Sequence, residues 1–117
     1  MLPAQYRMRR STEFADTIKR GARSVQPDLV VHARRTGCAG GPRVGLVVSK
    51  SVGSAVERHR VARRLRHVTR DLLCELDSTD RVVIRARPSS RDALSRSFDQ
   101  QLRAGLKQTL RDAGEHR

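Results

Sequence analysis

Apolar residues recur at helical spacing in two long stretches. Val61, Leu65, Val68, Leu72 and Leu76 follow one another at three- and four-residue steps, which predicts an amphipathic helix over about 54–76. Leu94, Phe98, Leu102, Leu106 and Leu110 repeat every four residues and predict a second long helix, capped at Ser90 or Ser95, whose stripe packs on a sheet. A shorter helix is expected from Ser11, read as its N-cap, to Gly21, which ends it. Glu13 and Asp16 lie in its positive first turns. Phe14 and Ile18, four residues apart, share one face of this helix, either as plugs of the core or as an apolar patch open to a stacked nucleotide.

Between the helices, runs with β-branched residues predict strands over 28–35, 43–50 and 81–87, the last closed by Pro88. The segment 22–27 reads as a link, 36–42 as a glycine-rich loop and 77–80 as a turn. The apolar middle of 43–50 is continuous, which suggests a central strand covered on both sides and joined antiparallel to 28–35 by a hairpin. The order strand, helix, strand that follows implies a crossover with parallel pairing or near neighbours in one sheet. The expectation is a single α/β (α+β) domain over 1–117 with the order α-β-β-α-β-α. A basic arm at 1–10 is expected to be extended, and its order and that of the tail at 114–117 without a partner stay open.

Composition sharpens this picture. At 117 residues the chain can bury a modest core, and with Tyr6, Phe14 and Phe98 as its only aromatics that core must be built mainly from Val, Leu, Ile and Ala. The formal charge of +13 and pI near 11.6 repel the compact state from itself and attract polyanions, nucleic acid first among them. Only Lys19, Lys50 and Lys107 are lysine; the other 22 of 25 basic residues are arginine, suited to bidentate phosphate contacts and base stacking, although GC-rich coding also favours arginine. No stretch has the length of a membrane span, and no signal-peptide core opens the chain. Cys38 and Cys74 lie far apart without Cys-x-x-Cys spacing, which points to free thiols in a reducing cytoplasm.

The charge is concentrated on the first long helix. Five arginines fall within nine positions, Arg58, Arg60, Arg63, Arg64 and Arg66, and Arg70 follows one turn later with no acid from 58 to 70. At 100° per residue the apolar stripe leaves Arg60, Arg63, His67 and Arg70 on the opposite face, with His59 and Arg66 beside them and Arg58 and Arg64 at the margins. A solvated face ordinarily mixes signs, so an unbroken positive ridge is best explained by phosphates that relieve its repulsion. No catalytic constellation accompanies it. The histidines His32, His59, His67 and His116 have no metal-ligand spacing, neither a nucleophile elbow nor a phosphate loop occurs, and the carboxylates are scattered among arginines. No catalytic residue and no protein-held metal is therefore expected.

The run Lys50-Ser51-Val52-Gly53-Ser54-Ala55-Val56-Glu57-Arg58-His59-Arg60-Val61-Ala62-Arg63-Arg64-Leu65-Arg66 resembles the signature of the bacterial ribonuclease P protein subunit, Lys-x-x-Gly-x-Ala-Val-x-Arg-Asn-Arg-x-Lys-Arg-x-x-Arg. Lys50, Gly53, Ala55, Val56, Arg58, Arg60, Arg63 and Arg66 match; His59 replaces the asparagine and Ala62 the lysine. Arg43-Val44-Gly45-Leu46 and Glu13-Phe14 with Lys19, Arg20 and Gly21 match as well, so the resemblance spans essentially the whole chain. It implies a small α/β sandwich, like a domain of a small-subunit ribosomal protein, with a left-handed crossover against the usual right-handed rule.

The resemblance also implies a role: assisting a catalytic RNA that, with Mg2+ held mainly by the RNA, cleaves the 5′ leader from precursor tRNA. It places catalytic-RNA binding on Arg58, Arg60, Arg63 and Arg66, with His59 in the asparagine position and Arg64 and Arg70 extending the ridge. A leader cleft falls to Phe14, Ile18, His32 and Lys50, with positive charge from Arg85 and Arg87. Ile18 and His32 stand where aromatics are common, which weakens base stacking. His59 offers one donor in place of an amide pair, and its protonation beside phosphate would make binding mildly pH-sensitive. The implied partners are the catalytic RNA, one per protein monomer, and precursor tRNA, with no membrane. Two rivals stay open: a structural or ribosomal RNA-binding protein without a substrate cleft, and a DNA-binding regulator, which fits less well because base-reading helices place Asn, Gln or Ser among their arginines.

Overall fold

A computed structural model of the chain describes residues 4–36 and 40–115. The middle of the predicted 36–42 loop with Cys38, the first residues of the basic arm and the end of the tail lie outside the described residues. Three helices, α1 (Ser11–Arg20), α2 (Ala55–Leu72) and α3 (Ser95–Glu115), accompany four strands: β1 (Ala22–Val25), β2 (Leu29–Arg35), β3 (Arg43–Val47) and β4 (Asp80–Ala86). The strands form one sheet in the order β1-β2-β4-β3. β4 runs antiparallel to β2 and parallel to β3, so the pairing expected of the β3–α2–β4 crossover is present.

The sheet departs from expectation in two places. The segment read as a link contains β1, which pairs antiparallel with β2 from Ala22↔Ala33 to Val25↔Val30. Four residues with a single buried side chain, Ser24, carry too little apolar alternation to announce an edge strand. The second departure is β3, which is neither central nor hairpin-paired with β2; β4 lies between them. Its continuous apolar run is covered by other means. Val44 faces the core, while Gly45 lies under the ring of Phe14, where an added Cβ would collide with the ring. The outer edge of β3 is occupied by the amino-terminal segment, in which Met8 N–H donates to the Val44 carbonyl at 2.9 Å and Arg7 forms a bridge to Val44. The arm is thus partly docked, after a 3-10 turn at Ala4–Tyr6, rather than wholly extended.

Strand alternation sorts the sheet residues onto two faces. Leu29, Val31 and Ala33 of β2, Val82 and Ile84 of β4, and Val44 of β3 point to one face. There they meet Val61, Leu65, Val68 and Leu72 of α2 and Phe98, Leu102 and Leu106 of α3 in one buried cluster. Both long apolar stripes are therefore core, with two amendments. Leu94 precedes α3 and is 61% exposed, and Leu76 lies beyond α2, which ends at Leu72 and passes into a 3-10 turn. Ser90 is buried in a 3-10 turn and caps nothing, and the cap position of α1 is Arg10, with Ser11 already helical.

Polar contacts tie the elements together. The Gln101 amide donates to Asp28 Oδ2 at 2.7 Å and its carbonyl accepts the Asp28 N–H at 2.8 Å, fastening α3 to the β1–β2 turn. Asp80, 1% exposed, accepts from Arg35 Nε at 3.2 Å and from the Asp77 N–H at 2.8 Å, closing the opposite end of the sheet.

Candidate nucleic-acid interface

Among the described residues the second face of the sheet carries one helix, α1, and one helix does not cover four strands. The pairings arrange its residues in three rows. Arg34, Arg81 and Arg43 form the first; Arg23, His32, Val83 and Gly45 the second; Val25, Val30, Arg85 and Val47 the third. α1 packs on β2 and β4, burying Thr17 and setting Phe14, half-buried, over Gly45. Glu13 approaches the buried Arg81 at 3.9 Å, a contact that holds the start of α1 over the first row. The third row is more open: Arg85 is exposed, Val25 is 55% exposed, and Val30 and Val47 are half-buried. An apolar strip with a cation in its middle is a surface on which bases can lie while the guanidinium meets the backbone phosphate.

The expected cleft residues divide among different positions. Phe14 and Ile18 are half-buried on α1. Lys50 is exposed in the 3-10 turn that follows β3 and leads toward α2. Arg85 stands in the open row, whereas Arg87, beyond the strand end, donates to the Gln26 carbonyl at 2.9 Å and braces the β1–β2 turn. His32 is only 2% exposed and forms floor rather than wall. Burial first, then the cations Arg85 and Arg23, hold its pKa below the usual histidine value, so its imidazole is neutral at pH 7; neither ring nitrogen has a hydrogen-bond partner among the described residues. Arg23, flanking His32, was missed because its strand was missed.

The ridge is set by the start of α2. Gly53, at φ 152°, takes a backbone conformation that other residues avoid, and a Cβ there would run into Glu57. Ser54 and Glu57 then form a reciprocal capping box: Glu57 N–H donates to Ser54 Oγ at 3.3 Å and Ser54 N–H to Glu57 Oε1 at 3.0 Å. Those bonds from Ser54 lower the Glu57 pKa and keep the carboxylate charged at the positive end of the helix. From this fixed origin His59, Arg60, Arg63, His67 and Arg70 emerge exposed, while Arg58, Arg64 and Arg66 are half-buried.

Arg64 and Arg66 have different uses. Arg64 donates to the Ala93 carbonyl at 2.9 Å, which ties α2 to the segment before α3 and turns this member of the cluster inward. Arg66 lines a cavity of about 140 Å³ together with Arg7, Met8, Phe14, Val44, Gly45 and Leu46. The cavity links the ridge on α2 to Phe14 on the far side of β3, around the strand's edge. Arg7 was visible only as one of several cations in the arm; its place here follows from its bridge to β3. Among the described residues no group of three His, Cys, Asp or Glu gathers to hold a metal ion.

The family model of ribonuclease P matches residues 2–110. The chain belongs to the ribonuclease P protein family. It is 59% identical to the ribonuclease P protein component of Mycobacterium ulcerans (strain Agy99), with 100% of both chains covered. It is 57% identical to that of Mycobacterium tuberculosis (strain CDC 1551 / Oshkosh), again over 100% of each. Among solved structures, a mutant ribonuclease P protein of Staphylococcus aureus, described as defective in mRNA degradation activity, superposes with a TM-score of 0.78 at 24% identity, covering 87% of this chain and 86% of that one. At that identity the likeness concerns the fold. The arginine ridge and the half-covered sheet of this chain are thus carried on the fold of a ribonuclease P protein.

Proposed function

We propose that the chain acts as the protein subunit of ribonuclease P, binding the catalytic RNA along the α2 ridge and the 5′ leader of precursor tRNA across the open face of the sheet. The RNA performs the cleavage that yields the mature tRNA 5′ end, and Mg2+ is held chiefly by RNA phosphates. What the protein contributes is charge and positioning: it lowers the repulsion between two polyanions and raises affinity for the substrate. One protein monomer per RNA, in the cytoplasm, completes the reading. The exposed free thiol of Cys74 suits that setting.

The observation that carries this reading is the cavity of Arg7, Phe14 and Arg66, which joins a phosphate-binding ridge to a base-binding face around one strand. A structural RNA-binding protein needs the ridge but not the open row of Val25, Val30, Arg85 and Val47. Reconstitution with the cognate catalytic RNA at low magnesium separates the two. Stimulated cleavage of precursor tRNA is expected, and binding of the RNA without any stimulation would refute the proposal.

A further inference from the structure

His59 and His67 lie two helical turns apart on α2 and share one solvent-open cavity of about 300 Å³ with Arg63 and Arg66. The spacing of 59, 63 and 67 places their side chains in one row along the helix, about 12 Å from end to end at 1.5 Å per residue. Both histidines are exposed, so a ligand reaches them without any rearrangement. Imidazole is the one side chain that gains charge near neutral pH, and a neighbouring anion favours its charged form. A cluster of two imidazoles and two guanidiniums therefore fits a run of phosphodiesters better as the pH falls.

The charged surroundings of the pair are uneven. One turn before and after His59 along the helix stand Ala55 and Arg63, and no acid lies within four residues of it except Glu57, which is engaged by Ser54 and near Arg91. His67 has Arg63, Arg64 and Arg70 as its helical neighbours, and Asp71 one turn on. From the elements packed on α2, the 3-10 turn Pro88–Asp92 presents Arg91 and Asp92, paired at 3.8 Å, and α3 presents Arg103, which is bound to Asp99 and Glu75, while Arg7 of the amino-terminal segment lines the smaller cavity with Arg66. Arginines thus outnumber carboxylates along this face of α2, and of the carboxylates near it Glu57, Asp92, Asp99 and Glu75 are engaged by Ser54, Arg91 or Arg103.

We propose that His59 and His67, with Arg63 and Arg66, form a proton-dependent phosphate site, so that the protein takes up protons as it closes on the RNA backbone. The site deepens the assignment of α2 to the catalytic RNA and rests on it. It gives a use to the histidine that stands where the related pattern carries asparagine, and it adds His67 to the contact.

The test measures binding of labelled catalytic RNA to the full chain at constant salt between pH 8 and pH 6, beside a variant carrying His59→Asn and His67→Asn. Wild type should gain up to about tenfold in affinity per imidazole over the variant as the pH falls. Protonation of the RNA itself cancels in that comparison. Calorimetry at pH 7 in two buffers of different ionisation enthalpy should detect proton uptake that the variant lacks. A protein carrying His59→Lys and His67→Lys should bind tightly at pH 8 with no excess uptake. Free inorganic phosphate at millimolar concentration should compete weakly, since it fills only part of the cluster; full displacement of the RNA by it would overturn the extended site. Equal pH slopes and equal proton uptake in wild type and the asparagine variant would overturn the site alone. Failure of wild type to bind the RNA at any pH would overturn the assignment of α2 as well.

Discussion

Neutralising two ridge arginines should weaken RNA binding strongly and stability hardly at all, while neutralising a third should do the reverse. Arg60 and Arg63 are exposed on α2, whereas Arg64 donates to the Ala93 carbonyl at 2.9 Å. With Arg60→Gln and Arg63→Gln two phosphate contacts are lost, and each contact contributes about 0.7–0.9 to the slope of log affinity against log salt. The slope should fall by about 1.4–1.8, which at 0.1 M salt, referred to 1 M, is a loss of about 25- to 60-fold. Exposed substitutions of this kind change folding stability by within about 0.5 kcal/mol. Arg64→Gln instead removes one partly buried hydrogen bond, a loss of about 1 kcal/mol, and should leave the salt slope nearly as it was. Affinity for the labelled catalytic RNA measured across a salt series, with a urea melt of each protein, gives both numbers. If Arg64→Gln flattens the slope as much as the pair does, and melts like wild type, the division of the cluster into outward and inward arginines is wrong.

Three further outcomes follow from the geometry. Phe14→Ala should reduce affinity for precursor tRNA with a leader and scarcely alter that for mature tRNA, and Gly45→Ala should act in the same direction because its Cβ collides with the Phe14 ring; equal losses for both tRNAs would make Phe14 a core residue only. His32 has a lowered pKa when folded, so the unfolded chain binds the extra proton and stability drops as the pH falls below about 6.5. His32→Leu should lose less stability than wild type between pH 7 and pH 5, and an unchanged acid limb in chemical denaturation would contradict the burial. Asp80→Ala strips a 1%-exposed carboxylate from Arg35 and the Asp77 N–H and should cost about 2–3 kcal/mol in urea denaturation, where a loss within error of zero would refute its role.

The long helices and the ridge were legible because they rest on local repetition. Val61 to Leu72 and Phe98 to Leu106 mark their buried faces by spacing alone, and an acid-free run of arginines is visible in any conformation. The signature around Lys50 to Arg66 carried the family in the same way, since its glycine, small residues and cations serve one strand end and one helix start. β1 was hidden because Ala22–Val25 has only Ser24 to bury, and β3 was misplaced because an apolar run reports how far a strand is covered without reporting by what. Coverage by the Phe14 ring and by Met8 at the strand edge reads the same in sequence as coverage by two neighbouring strands.

By itself, the sequence determined the helical periods, a mainly aliphatic core and a positive charge that attracts polyanions, because each depends on local spacing or on composition. The tertiary structure alone decided the strand order, the burial of His32, the inward turn of Arg64 and the meeting of Arg7, Phe14 and Arg66 around the edge of β3. Those depend on which distant segments come into contact, and contact between distant segments is set by packing of the whole chain.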